Sequence, residues 1–206
     1  MNATTTPRRP PLVSVLLLLA ATAGLPGCAS MVVGAAATTG IAIAQERSVG
    51  NAIDDTAIKV EINHYLFQAQ VDELFRAVSV DVNEGRVLLT GNVKTQALRD
   101  RATELAYKAE GVQEVFNEIE VQDSGGILDY SNDAWISTQL RAKLLGDAQI
   151  YDINYSVTTS NGVIYLLGIA QNQEELDRAV AHARSIPRVR RVVSHVLMKD
   201  DPMREG

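Results

Sequence analysis

Residues 78–91 read VSVDVNEGRVLLTG, and residues 155–168 read YSVTTSNGVIYLLG. The second stretch repeats the first at an offset of 77 residues, and the apolar positions and the glycines align. In each copy a polar residue and a glycine, Glu84-Gly85 and Asn161-Gly162, separate two runs with alternating apolar residues. Such a pair supplies the positive φ angles that a tight hairpin requires. The pattern therefore predicts two copies of one β-hairpin.

The repeat extends beyond the hairpins on both sides. Upstream, apolar residues at i, i+4 and i+8 predict an amphipathic helix in each copy; they are Ile58, Ile62 and Leu66, and Ile136, Leu140 and Leu144. Downstream, a second helix is predicted at about 95–109 and 172–185, and a closing strand at 115–121 and 192–198.

The fold class that follows is α+β, with two tandem αββαβ sandwiches. Each sandwich is a three-stranded sheet covered by two helices, because the apolar face of the sheet must be buried. We assign the first domain to residues 53–124, the second to 130–199, and a tail to 200–206. Each unit has roughly 70 residues, which is small for an independent core, so the two are expected to pack together or to depend on each other for stability.

The N-terminus has the features of a bacterial secretion signal. Arg8 and Arg9 precede an apolar stretch at 12–23, and Leu-Pro-Gly-Cys ends at Cys28. The stretch is shorter than the ~20 residues that a spanning helix needs, so residues 1–27 are predicted to be cleaved as a lipoprotein signal peptide. Cys28 resembles the lipid acceptor of a lipoprotein, with palmitate among the expected acyl chains. The alternative is an ordinary signal peptide with an incidental cysteine.

The segment after the cysteine, residues 28–52, is predicted to be the lipidated N-terminus and a flexible tether. Its first part, residues 29–44, is uncharged and rich in small and β-branched residues. Ala29 differs from the Asp that resembles an inner-membrane retention signal. The expected location is therefore the outer membrane, with the lipid-anchored chain facing the periplasm.

Composition excludes several classes of protein. The chain of 206 residues has one Cys and three His, too few for a Cys-rich zinc module or a disulfide scaffold. Its formal net charge of -6 argues against general nucleic-acid binding. Removing residues 1–27 takes away two of the 19 basic side chains and none of the 25 acidic ones. The mature chain therefore has a formal net charge of 17 − 25 = −8. No metal or cofactor is predicted.

The closing strand carries a family motif. Residues 111–119 read GVQEVFNEI and follow a strand-turn-Gly-strand-Gly segment and an Ala-rich helix. This combination resembles the BON domain, and two copies after a lipobox resemble dual-BON outer-membrane lipoproteins associated with division sites. Residues 47–50 and 131–136 extend the resemblance, whereas Arg188 departs from it by replacing the glycine at the place of Gly111. The resemblance implies a non-enzymatic protein that binds anionic phospholipid and supports envelope integrity.

The two copies differ in charge. Residues 54–123 contain 7 basic and 14 acidic side chains, a net of 7 − 14 = −7, whereas residues 129–199 contain 8 and 7, a net of 8 − 7 = +1. Only the second copy approaches an anionic surface without repulsion. Its first helix has no acid at 134–146, whereas the first copy has Glu61 at the equivalent of Gln139.

Helical geometry predicts a phospholipid-binding surface on that helix. At 100° per residue Trp135 points away from the predicted core, and the first copy has Ala57 there, so the fold does not require an aromatic. An outward indole suits the membrane interface. The alternative is that Trp135 packs against the other domain. The predicted phospholipid-binding residues are Trp135, Thr138, Arg141, Ala142 and Leu145.

Catalysis is not predicted. His64, His182 and His195 are scattered, without Cys or His at metal-ligand spacing. Acidic residues of the first domain are interpreted as a solvated face; they include Glu104, Glu110, Glu114 and Glu118. The second hypothesis for function is an adaptor. In it, the acidic first domain docks outer-membrane assembly machinery, such as the barrel-assembly machinery, or a cell-wall hydrolase regulator.

Overall fold

The computed structural model describes residues 49–69, 72–122 and 130–204. The predicted signal peptide, Cys28 and the tether up to residue 48 lie outside the described residues. Helix α1 begins within the last residues that we had assigned to the tether. In chain order the elements are α1 (Val49–Gln68), α2 (Asp72–Ala77), β1 (Val78–Asn83), β2 (Arg86–Val93), α3 (Gln96–Ala106), β3 (Glu114–Val121), α4 (Tyr130–Leu145), β4 (Tyr155–Ser160), β5 (Val163–Ala170), α5 (Gln173–Arg184) and β6 (Arg191–Met198).

Both hairpins form at the predicted turns. β1 pairs antiparallel with β2, and β4 pairs antiparallel with β5. Glu84 and Gly85 have φ angles of 51° and 71°, and Asn161 and Gly162 have 52° and 72°. Two successive left-handed residues match the twist of the flanking strands. β3 and β6 then add in parallel to β2 and β5, so the described residues contain two three-stranded sheets. The predicted α+β fold is confirmed.

The first helix of each copy is held by its apolar stripe and by one carboxylate. The predicted stripe residues of α1 and α4 are all at most 5% exposed. Asp55 accepts hydrogen bonds from the amides of Glu84 and Gly85, both at 2.9 Å. Asp133 does the same for Asn161 and Gly162, at 2.7 and 2.8 Å. The N-terminal half of each helix is thereby fixed to the hairpin of its own domain.

The second helices begin at side-chain caps. Thr95 accepts a hydrogen bond from the amide of Leu98 at the start of α3, and Asn172 accepts one from Glu175 at the start of α5. Each of these helices connects the hairpin of its domain to the parallel closing strand. In the turn before that strand, Gly111 has φ 85° and Arg188 has φ 69°. The departure of Arg188 from the motif therefore leaves the left-handed turn in place.

The two domains pack sheet against sheet, as expected from their small size. On β2 the side chains of Val87 and Leu89 face the helices, whereas Leu88 faces the other domain. β5 is buried along its whole length. One set of alternate residues faces the helices of the second domain, and the other set faces the sheet of the first domain. The apolar cluster between the sheets contains Leu88, Phe116, Val163, Tyr165, Leu167 and Val193. Burial raises the pKa of the Tyr165 hydroxyl there.

A buried arginine and several polar pairs reinforce this interface. Arg86 is 3% exposed and donates to the carbonyl oxygens of His195, at 2.8 Å, and Gly168, at 3.1 Å. Burial lowers the pKa of its guanidinium below the ordinary value. Asp81 accepts a hydrogen bond from Thr158 Oγ1 at 2.6 Å across the same interface. The two domains form one compact unit.

One acidic residue that we had assigned to the solvated face lies at this interface instead. Glu118 Oε1 is 3.1 Å from His195 Nε2, and the imidazole stacks on Phe116 with ring centroids 4.0 Å apart. The expectation for Glu118 was wrong because strand alternation does not reveal which face of a sheet another domain covers. Glu104, by contrast, is exposed.

Three further elements were not predicted, and one of them is a 3₁₀ turn at Asp152–Asn154 before β4. α2 is a six-residue helix that buries Leu74 before β1, and it is too short to show a helical period. The tail forms a 3₁₀ turn at Pro202–Arg204. There, Arg204 makes two hydrogen bonds of 2.9 Å to the carboxylate of Glu84. The tail therefore returns to the hairpin of the first domain.

Candidate functional site

The outer side of α4 carries apolar side chains in contact with solvent. Because Ile136, Leu140 and Leu144 face the core, the opposite side of the helix is exposed. Trp135 is 43% exposed and Leu145 is 73% exposed. Thr138 and Ala142 are also exposed, and all four lie on one stripe of the helix. Trp135 does not belong to the described apolar cluster between the sheets. We call these four residues the α4 stripe.

Arg141 lies on a different flank of α4. Its guanidinium donates to the carbonyl oxygen of Val157 on β4 at 2.7 Å. On the same flank, Ser137 Oγ donates to Thr159 Oγ1 at 2.8 Å. The side chain of Arg141 therefore helps to fix α4 to its sheet, while its remaining N–H groups stay available. The structure groups the other four predicted residues and places Arg141 at their edge.

A group of arginines next to the N-terminal half of α4 was missed in the sequence analysis. Arg184, Arg188, Arg190 and Arg191 lie around the turn between α5 and β6, and we call them the arginine notch. Arg188 Nη1 donates to Asn132 Oδ1 at 3.1 Å. Asn132 precedes Trp135 by three residues, so it lies on the flank of α4 that carries the indole. The notch and Trp135 therefore share one end of the domain.

The sequence contained a signal for the notch. At the same turn the first copy reads Gly111-Val112-Gln113-Glu114, and the second reads Arg188-Val189-Arg190-Arg191. Comparing the two copies position by position, rather than by their summed charge, reveals this difference.

The equivalent end of the first domain has the opposite charge. A cavity of about 620 Å³ lies beside Ala57, the counterpart of Trp135. Arg86 and Arg204 also line it, and its carboxylates are those of Asp54, Asp55, Glu61, Glu84, Glu110 and Glu114. The second copy replaces all of these except Asp55 with Asn132, Gln139, Asn161, Pro187 and Arg191. An anionic surface is therefore repelled by one end and attracted by the other.

An ion-pair cluster fixes α5 to the end of α4. Asp147 Oδ2 lies 2.8 Å from His182 Nε2 and 2.7 Å from Arg178 Nη2. The hydrogen bond with His182, followed by that from the Gln149 amide, lowers the pKa of Asp147 to about 2. This cluster therefore holds α5 against the residues that follow α4.

The described residues offer neither a bilayer-crossing helix nor a group of metal ligands. None of the helices they form is both long and apolar enough to cross a bilayer. Within the same residues, no three His, Cys, Asp or Glu side chains are grouped as metal ligands.

The repeated hairpin, the parallel closing strand and the two helices of each copy define the class of protein. The chain belongs to the BON domain family, which matches residues 51–123 and 132–200. The predicted tandem arrangement is confirmed.

Particular relatives span most of the chain. It is 33% identical to the outer membrane lipoprotein DolP of Haemophilus influenzae over 184 residues, 89% of this chain and 94% of that protein. It is 40% identical to an uncharacterized protein in the gshII 5′ region of Anaplasma centrale over 153 residues, 74% of this chain and 99% of that protein. A 21 kDa hemolysin of Actinobacillus pleuropneumoniae is 33% identical over 148 residues, 71% of this chain and 75% of that protein.

Proposed function

We propose that this chain is a non-enzymatic, lipid-anchored protein of the outer membrane that faces the periplasm and binds anionic phospholipid through α4. Its role is to support the integrity of the outer membrane, including at division sites. The similarity to an outer membrane lipoprotein over 89% of the chain supports the location. In this proposal Cys28 carries the lipid.

The observation that carries the binding site is the exposed indole in the second copy alone. Trp135 is 43% exposed in a region free of carboxylates from 134 to 146, whereas the first copy has Ala57 beside an acidic cavity. A tryptophan with an apolar ring and a polar N–H is suited to headgroup depth. Leu145, which is 73% exposed, adds apolar area at the other end of the stripe.

The lipid anchor allows a surface of low intrinsic affinity to bind the membrane. Burial of Trp135 and Leu145 contributes roughly 1.5–3 kcal/mol each at most. Once an acyl chain on Cys28 holds the protein at the bilayer, docking of α4 becomes an intramolecular step with a high effective concentration. The second domain then responds to the lipid composition of the membrane to which the protein is already attached.

The test uses residues 46–206 without the lipid anchor. This fragment contains every described helix, strand and core residue, so its core remains complete. We expect it to co-sediment with vesicles that contain phosphatidylglycerol and to remain in solution with pure phosphatidylcholine. Trp135→Glu is expected to abolish the binding, while the acylated full-length variant still fractionates with membranes. Equal binding by variant and wild type would refute the site.

A second candidate function is favoured by the acidic cavity of the first domain. Its carboxylates suit a basic segment of an envelope protein, such as outer-membrane assembly machinery or a cell-wall hydrolase regulator. Replacing Glu110 and Glu114 with Lys is expected to abolish cross-linking to such a partner in cells and to leave vesicle binding of the fragment intact. Unchanged cross-linking excludes this cavity as the docking surface.

A further inference from the structure

The arginine notch has a concave surface and a high local charge. A shallow cavity of about 240 Å³ is lined by Arg184, Arg190 and Arg191 together with Val189 and Val192. Arg188 lies next to it in the same turn. Four arginines within eight residues concentrate positive charge at this turn, and Arg191 also hydrogen-bonds to the Tyr165 hydroxyl.

The fold does not require these arginines. The main-chain amide of Arg190 donates to the Gly162 carbonyl at 2.7 Å, and Gln113 makes the same bond to Gly85 at 2.9 Å in the first copy. In the first copy Gly111 adopts the positive φ angle that Arg188 has in the second copy. Since the first copy builds the same turn with neutral and acidic side chains, the arginines of the second copy are available for a role other than folding.

No carboxylate among the described residues forms an ion pair with the notch. Arg188 and Arg190 donate instead to neutral oxygens, the Asn132 side chain at 3.1 Å and the Asn161 carbonyl at 3.2 Å. The carboxylate of Asp133 lies at the same hairpin, and both of its oxygens accept bonds from backbone amides. Each neutral contact positions a guanidinium and uses one of its five donors, so the others are available to an incoming anion.

We infer that the arginine notch binds the phosphate group of an anionic phospholipid while Trp135 of the same domain enters the membrane interface. A guanidinium forms two parallel hydrogen bonds with a phosphate, a geometry that an ammonium group does not provide. The inference rests on the proposed function, because it assigns the headgroup contact to the α5–β6 turn and leaves the apolar contact to α4.

The main experiment replaces two notch residues with those of the first copy. Arg188→Gly with Arg190→Gln keeps a turn that the same fold already contains. In the 46–206 fragment we expect a loss of about 25-fold in affinity for phosphatidylglycerol vesicles, at about fivefold for each basic side chain near anionic lipid. Wild-type affinity in this double variant overturns the inference.

Two matched double variants distinguish the paired hydrogen bonds of a guanidinium from the effect of net charge. Arg101→Gln with Lys108→Gln removes two positive charges from exposed positions of the first domain and is expected to leave affinity unchanged. Arg188→Lys with Arg190→Lys keeps the charge and is expected to restore only part of the affinity. Full restoration by lysine overturns the bidentate contact, and an equal loss in the first-domain control overturns the assignment to the notch.

A further arm distinguishes a headgroup from a soluble phosphate. Glycerol phosphate and inorganic phosphate are titrated into the isotope-labelled fragment, and amide shifts of residues 188–191 are followed by NMR. We expect only weak, millimolar responses and strong vesicle binding. Tight binding of soluble phosphate that the double variant abolishes, with vesicle affinity unchanged, overturns the lipid assignment.

The failures of the two proposals are distinguishable. If Trp135→Glu leaves vesicle binding intact while the Arg188→Gly and Arg190→Gln variant loses it, the α4 stripe is excluded and the notch stands. If only Trp135→Glu loses binding, the notch is excluded and the α4 site stands.

Discussion

Replacing Trp135 with alanine isolates the apolar part of membrane binding. Alanine is the residue of the first copy at this position, Ala57, so the helix tolerates it. Trp135 is 43% exposed. For an aromatic side chain of about 200 Å², this exposed fraction corresponds to about 85 Å². At about 25 cal/mol per Å², complete burial in the interface contributes about 2 kcal/mol. Loss of that contribution weakens vesicle binding about 30-fold.

Vesicle co-sedimentation of the 46–206 fragment measures this change across a lipid titration. The matched control is Tyr107→Ala, which removes an aromatic side chain that is 55% exposed on the first domain. We expect the control to bind as tightly as wild type. The indole emission of wild type should also shift to the blue on binding, because Trp135 is the single tryptophan of the chain.

Two results refute this reasoning. A loss of less than about threefold means that the indole remains outside the interface when the protein is bound. An equal loss in Tyr107→Ala means that exposed aromatic area anywhere on the surface is sufficient. Either result removes α4 as the specific contact.

Two further predictions concern the scaffold. Gly168→Ala should destabilise the fragment by at least about 2 kcal/mol, because φ is 145° and a Cβ there lies 2.0 Å from the Asn154 carbonyl oxygen. Urea unfolding measures this loss of stability, and Gly146→Ala is the milder control. An unchanged midpoint for Gly168→Ala contradicts the predicted strain. For Asp147, the hydrogen bond with His182 lowers the folded-state pKa to about 2, so its stabilising contribution is complete above pH ~4 and is lost as pH falls towards 2. Asp147→Asn should therefore lower the urea midpoint at pH 6 and lower it much less at pH 2, where the folded-state carboxyl is about half protonated; a difference that does not depend on pH contradicts the linkage.

The outward direction of Trp135 was predictable because helical periodicity is local. Once Ile136, Leu140 and Leu144 are assigned to the core, the angle of every other residue on α4 follows. The hydrogen bond from Arg141 to Val157 was not predictable in the same way. It depends on which flank of the helix lies beside β4, and the period of a single helix does not contain that information.

The assignment of Glu118 to a solvated face failed for a related reason. Alternation in a strand distinguishes two faces, and the helices cover one of them. Whether the other face contacts water or another domain depends on packing between segments that are far apart in the chain. Here the second sheet covers it, and Glu118 meets His195.

The sequence by itself determined the repeat, the hairpin turns, the apolar stripes of the first helices and the charge difference between the copies. These features depend on residue type and short-range spacing, which the sequence contains directly. Only the tertiary structure decided that the sheets pack face to face, that Arg86 is buried between them and that the arginine notch lies beside the helix of Trp135. Those relations join residues from distant segments, because burial of apolar surface selects one packing of elements that local preferences leave open.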